Sequence, residues 1–219
     1  MLNPLNFISK IFKSSNQKEL DKLQKIVKQV NNYEDQVTKI EDSEFPKKTE
    51  ELRELGELIN YNAYGETIDD LHFSPEVLFK ALQPFSDPFE FYHASGELNQ
   101  LREGFRNDMR KAESELPVRQ TSAGRIYQFQ NQAWCRRVSG VFSNQVAREA
   151  LDLAHALLVE RKDGTFLVGV RAPISKPQGA EKLCIKFSGG GRAAAAGINN
   201  LAPEEVDRFF DAFDLQFTI

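Results

Sequence analysis

At 219 residues and 41% hydrophobic content, the chain is long enough for one medium domain plus an appendage, with enough apolar side chains for a packed core. A formal charge of −4 and a pI near 5.6 exclude a broadly basic surface, so nucleic acid could be held only by a local basic patch. The two cysteines, Cys135 and Cys184, stand far apart with no Cys or His at ligand spacing, which fits reduced core thiols in a cytoplasmic protein better than a disulfide or a zinc site.

In chain order, residues 1–13 place Leu2, Leu5, Ile8 and Phe12 near one helical face beside Lys10 and Lys13. No apolar run reaches the roughly 18 to 20 residues of a membrane span, and no continuous apolar stretch marks a cleavable signal. The segment fits peripheral contact with an anionic membrane surface or ordinary packing. Leu20, Leu23, Val27 and Val30 then recur at spacings of three and four, predicting an amphipathic helix. Ser43 is a cap for a second helix carrying Pro46 early and running through Leu52 and Leu55. Texture changes between Glu51 and Gly56, where glycines and clustered aromatics begin. Turn or cap signals at Tyr64-Gly65, Ser74-Pro75, Gln83-Pro84 and Asp87-Pro88 surround a short helix over 76–82. A longer helix is predicted across 96–115 from Leu98, Leu101, Phe105 and Met109, with Pro117 beyond its end.

The remainder predicts a strand over 125–129, a helix over 143–150, strands over 155–159 and 166–170 joined by a Lys162-Asp163-Gly164 turn, and a helix over 181–187. A last helix carries Pro203 in its first turn. The expected fold class is α/β, a small mixed sheet flanked by helices and preceded by an N-terminal helical segment. The expected partition is 1–52 helical segment, 53–120 helical connector and 121–219 ligand-binding domain.

The most informative stretch is Gly189-Gly190-Gly191-Arg192, followed by four alanines and Gly197. Successive glycines let backbone amides approach a ligand closely. The alanines favour a helical turn, whose N-terminal end would draw an anion, and Arg192 adds a forked donor suited to phosphate. A glycine loop that merely packs a helix against the sheet explains the run equally well when it is taken alone. It is not a nucleotide P-loop, because no Gly-Lys-Ser or Gly-Lys-Thr follows.

The run resembles the Gly-Gly-Gly-His with small residues that marks the C-terminal, DHH-associated domain of the DHH phosphoesterases, a family that includes RecJ-type exonucleases. Arg136-Arg137 through Asn144 is similar to the segment entering that domain's first helix, with Gly140 at a tight turn. Val170-Arg171-Ala172-Pro173 resembles a strand end facing the ligand. The resemblance covers about residues 55–219, with 61–65 similar to the connector from the catalytic lobe. It implies a substrate-binding lobe for a phosphorylated ligand or single-stranded nucleic acid, through Gly189, Gly190, Gly191, Arg192, Arg171 and Arg136 or Arg137. The family histidine is Arg192 here, which can clamp phosphate but cannot exchange a proton. The family's catalytic lobe uses manganese or magnesium held by aspartates and an Asp-His-His triplet. No such triplet occurs, and His72, His93 and His155 are isolated, so neither a catalytic residue nor a metal ligand is assigned and no activity is expected from this chain alone.

The opening resembles the start of the preprotein translocase motor SecA, through the amphipathic beginning, the helix over 19–33 and the run from Glu41 to Leu52. The alternative this implies is a protein-export fragment without its ATP site, because no phosphate loop follows. Two partial families meeting inside one predicted helix suggest a fusion, a frameshift or an assembly artefact.

Overall fold

The computed structural model describes residues 15–218, so the amphipathic beginning expected over 1–13 lies outside the described residues. The chain forms two compact units, Met1–Glu51 and Leu52–Ile219. In the first, helix α1 (Ser15–Val37) follows the three-and-four periodicity, and helix α2 (Phe45–Tyr61) begins before the division between units.

Beyond that division α2 continues through Gly56. A Cβ at Gly56 would meet nothing within 4 Å, so this glycine marks no turn. The helix buries Leu55, Leu58 and Tyr61 in the second unit. A 3-10 turn (Ile68–Asp70) leads to α3 (Pro75–Leu82), where Ser74 Oγ accepts from the Val77 amide at 3.3 Å. Asp87-Pro88 opens a true helix, α4 (Pro88–Ala94), with the Asp87 carboxylate accepting from the Phe89 amide at 2.8 Å. Helix α5 (Gly96–Ser114) is capped by Ser95.

A six-stranded mixed sheet follows, in the order β1-β2-β3-β4-β6-β5. Its strands are β1 (Arg119–Gln120), β2 (Gly124–Phe129), β3 (Ala154–Glu160), β4 (Phe166–Arg171), β5 (Gly190–Arg192) and β6 (Ala195–Leu201). β2 and β3 are parallel and joined by helix α6 (Ala133–Glu149); the other pairings are antiparallel. Helix α6 starts ten residues before the predicted 143, and Gly140 lies inside it instead of at a tight turn. Val138, Phe142 and Val146, spaced by four, bury one side of this helix and outweigh the cost of about 1 kcal/mol of an internal glycine.

Strand alternation divides the sheet into two packed faces. Ile126, Ala156, Leu158, Val168, Val170 and Ile198 pack with Leu183 and Cys184 of α7 (Ala180–Ile185) and with Phe209, Phe213 and Phe217 of α8 (Val206–Phe217). Tyr127, Phe129, Leu157 and Val159 pack on the other face with α6 and the helices over 55–112. Full burial of each large apolar side chain contributes about 1.5–3 kcal/mol, so both layers are needed.

The alanines after the glycine run do not form the expected helical turn. Ala193-Ala194 instead connects β5 to β6, and the carbonyls of Ala193 and Ala194 accept from the amides of Ala180 at 3.0 Å and Ala172 at 2.9 Å. These bonds tie the hairpin to the start of α7 and the end of β4. Gly191, at φ 147°, is itself incompatible with a helix.

Candidate functional site

The sheet face shared with α6 is left open over β4, β6 and β5, and cross-strand register composes its surface. Gly169 of β4 pairs with Gly197 of β6, which pairs with Gly190 of β5, giving a floor of three adjacent glycines. The next row holds Arg171, Ala195 and Arg192, also Cα partners in turn. Because paired residues project to the same side, the two arginines flank one alanine on the same face as the glycine floor.

The wall is α6. Ser139, Gly140 and Ser143 line a cavity of about 190 Å³ with Leu157, Leu167, Gly169 and Arg171. A second cavity of about 580 Å³ shares Ser139, Val159 and Leu167 with it and continues to Tyr64, Arg136, Arg161 and Asn200. Together they form a trough along β4, about 13 Å from Leu167 to Arg171 at the usual strand rise.

The electrostatics favour an anion at the arginine end. Arg171 donates from Nε to Asn144 Oδ1 at 3.0 Å and from Nη1 to the Val170 carbonyl at 3.3 Å, and has no carboxylate partner among the described residues. Burial, and then the charge of Arg192, lowers its pKa from the ordinary guanidinium value. Arg192 is exposed and makes no ion pair among the described residues. Two cations therefore stand close together with no neutralising side chain, an arrangement a bound anion would relieve.

The glycines differ in their roles. At Gly189 a Cβ would lie 2.3 Å from the Gly197 carbonyl oxygen, and the Gly189 amide is already bonded to the Cys184 carbonyl at 2.9 Å. This residue lets β5 pack closely and has no amide to spare for a ligand. Gly191 combines positive φ with a Cβ position 2.5 Å from Ala196 Cα. Gly190 faces open space, as does Gly169. β5 is also an edge strand, leaving backbone groups on its outer side unpaired within the sheet.

The structure thus brings Arg171 and Arg192 together with the glycines but places Arg137 elsewhere. Its guanidinium donates to Asp108 Oδ2 at 2.7 and 2.8 Å, to the Asp70 carbonyl at 2.5 Å and to Tyr61 Oη at 3.2 Å. Tyr61 also donates to Asp108 at 2.5 Å and lies 2.6 Å from His72 Nε2. Arg136 is bidentate to Asp70, whose carboxyl it holds well below the usual range. The two adjacent arginines therefore lock the 66–73 loop to α6. Among the described residues no group of three His, Cys, Asp or Glu side chains could hold a metal ion, so these residues do not fit a manganese or magnesium centre. Burial pushes the Cys135 and Cys184 thiols up to about 12 and 11.

Sequence reasoning names Gly197, Asn144 and His155 without assigning any of them to the site, and leaves Gly169 unremarked. His155 is the Cα partner of both Arg125 and Arg171, is buried, and neither ring nitrogen makes a hydrogen bond of ordinary geometry among the described residues, the Leu153 backbone being the polar group that acts on it. The one available signal was the Gly-Val-Arg ending of β4.

Fold and site define first a class, an α/β unit with a two-faced mixed sheet and a glycine-floored trough. This fold is shared with a DHH-domain structure described as belonging to a family of ribosomal proteins, at a TM-score of 0.51 and 14% identity, over 78% of this chain and 44% of that one. A pGpG-specific phosphodiesterase from Vibrio cholerae is similar at a TM-score of 0.47 and 16% identity, over 67% of this chain and 52% of that one. The particular proteins similar in sequence are of another kind. The protein translocase subunit SecA of Pelagibacter ubique is 55% identical over 71 residues, 32% of this chain and 8% of SecA. That of Halothermothrix orenii is 42% identical over 67 residues, 31% of this chain and 7% of its own. The chain thus spans less than a tenth of the SecA relatives. No protein-family model matches it.

Proposed function

We propose that the second unit is the substrate-binding lobe of a DHH-type phosphoesterase and binds a phosphorylated ligand at the arginine end of the trough. The phosphate sits between Arg171 and Arg192 and against the open backbone at Gly190 and Gly191, and the rest of the ligand, a nucleotide or short single strand, extends along the glycine floor. The observation carrying this reading is the pairing of Arg171 and Arg192 across Ala195 with no carboxylate partner for either among the described residues. The trough wall offers Ser139, Ser143 and Asn144 as further polar groups near the arginine end, with Glu66 and Glu160 lining its far cavity, and we assign this lobe binding, not hydrolysis. Cleavage would require a catalytic lobe from another chain. A second reading, a role in protein export, is favoured only by the SecA identity and concerns a much smaller piece of that protein.

Titration calorimetry with inorganic phosphate and a 5′-phosphorylated dinucleotide tests the first reading. A charge-assisted hydrogen bond contributes about 1.5–3 kcal/mol, so Arg192→Ala should weaken both ligands by about ten- to a hundredfold, with lysine restoring only part. Arg192 is exposed, so the melting temperature should hold. Equal affinities in wild type and variant would end the phosphate-clamp reading.

A further inference from the structure

The two ends of the trough differ in charge. At the near end Arg171 and Arg192 have no carboxylate partner among the described residues. The far cavity, about 580 Å³, is lined by Glu66, Glu160, Arg136 and Arg161. Arg136 is already taken by Asp70 and Asn131, so the lining carboxylates outnumber the one uncommitted guanidinium, that of Arg161. A second phosphate is therefore disfavoured at this end, and a neutral group rich in N–H donors is favoured.

The other lining groups narrow that choice. Val159 and Leu167 give apolar surface, and Tyr64, 55% exposed, adds an aromatic face, which together suit a flat ring. Glu66 makes no side-chain hydrogen bond or ion pair among the described residues, whereas Glu160 follows Val159 on β3 and by strand alternation projects towards the other face. Arg161 is held in place through Nη1, which donates to the Asn199 carbonyl at 3.1 Å and to Asn200 Oδ1 at 2.6 Å. Its Nε and Nη2 make no hydrogen bond among the described residues. A carboxylate accepts from two adjacent N–H donors at once, and a guanidinium donates to two adjacent acceptors. Guanine is the common base that offers both, with N1–H beside the N2 amino group on one edge and O6 beside N7 on another.

We propose that the far cavity is a guanine-recognition subsite, in which the Glu66 carboxylate accepts from N1–H and the N2 amino group, Arg161 donates to O6 and N7, and the ring lies against Leu167 and Tyr64. The ligand of this lobe is then a 5′-phosphorylated, guanine-bearing nucleotide chain, lying along β4 with its phosphate at Arg171 and a base about 13 Å away at Leu167. That orientation rests on the phosphate reading above, and the base recognition stands apart from it.

Titration calorimetry of the full chain with 5′-phosphorylated diguanylate and diadenylate reads this directly. Diguanylate should bind at least about tenfold tighter, within what one bidentate contact to a base discriminates. Glu66→Gln should remove most of that preference, because the amide presents one acceptor and one donor where guanine needs two acceptors. Glu66 is exposed, so the melting temperature of the variant should hold. Arg192→Ala should weaken both dinucleotides alike and leave their ratio unchanged. Equal affinity for the two dinucleotides, or a guanine preference that survives Glu66→Gln, would overturn the base subsite while leaving the phosphate clamp standing. If Arg192→Ala changes neither dinucleotide, the clamp fails instead, and guanosine against adenosine then reads the base subsite alone. A guanosine preference that Glu66→Gln removes would uphold it, and nucleosides bound equally or not at all would end it.

Discussion

Asp108 shows what a single side chain contributes here. Its carboxylate is 4% exposed, accepts from Arg137 and Tyr61, and joins α2, α5 and α6 at one point. Removing it leaves the buried Arg137 guanidinium without its counter-charge, so Asp108→Ala should cost about 3–5 kcal/mol in urea unfolding. A loss below about 1 kcal/mol would mean that water relaxes the site. His155 contributes in the opposite sense. Burial, then the charge of Arg125, lowers its pKa from 6.5 to about 4, so the folded chain keeps it neutral while the unfolded chain takes up a proton below 6.5. The unfolded state binds more protons throughout that window, and stability must fall as pH drops from 6.5 towards 4. The loss is on the order of 3 kcal/mol. His72, also lowered by burial, acts in the same direction, whereas Asp70 loses its stabilising charge only below its ordinary 3.8. His155→Leu should therefore flatten the pH dependence of the urea midpoint between 6.5 and 4.5 without abolishing it. Identical slopes in wild type and variant would show that His155 titrates normally.

At the scale of elements, the glycine hairpin separates packing from binding. Gly189→Ala would drive a methyl to within 2.3 Å of the Gly197 carbonyl, whereas Gly190→Ala places one in open space over the trough. The first should lower stability by about 1–3 kcal/mol. The second should leave the melting temperature within a degree or two and weaken phosphate-ligand binding, by narrowing the floor. If the two variants exchanged these effects, the assignment of roles within the glycine run would fail. The same hairpin shows where sequence stops being legible. Helices α1 and α5 follow directly from three-and-four spacing, and β3 and β4 from short apolar runs around Lys162-Asp163-Gly164. The alanines after Arg192 favour a helix by intrinsic propensity, but strand pairing with β4 and two inward carbonyl bonds override it. Helix α4 was hidden because Asp-Pro opens turns and helices alike. Within the site, Arg171 and Arg192 could be named from sequence. The places of Gly169, Gly197 and His155 beside them could not, since these depend on which strand lies beside which, and the pairing of Arg137 depends on Asp108, Asp70 and Tyr61, which lie 29 or more residues away.

For the whole molecule, the two units should differ in what they need from each other. Both apolar layers of the sheet lie within Leu52–Ile219, and the earliest residue of either layer is Leu55 of α2. The first unit offers instead a helix whose apolar side chains are half exposed, which adds little buried surface to the folded state. Because the urea dependence of unfolding scales with the surface newly exposed, residues that are already exposed contribute little to it. A cut must respect α2, since removing its first turns would fray the helix that carries Leu55, Leu58 and Tyr61 into the core. Deleting residues 1–44 keeps α2 from its first residue. The shortened chain should unfold in one cooperative transition, with a midpoint and slope close to those of the full chain and the same affinity for a 5′-phosphorylated dinucleotide. Loss of the cooperative transition on deletion would show that the second unit depends on the first for its fold.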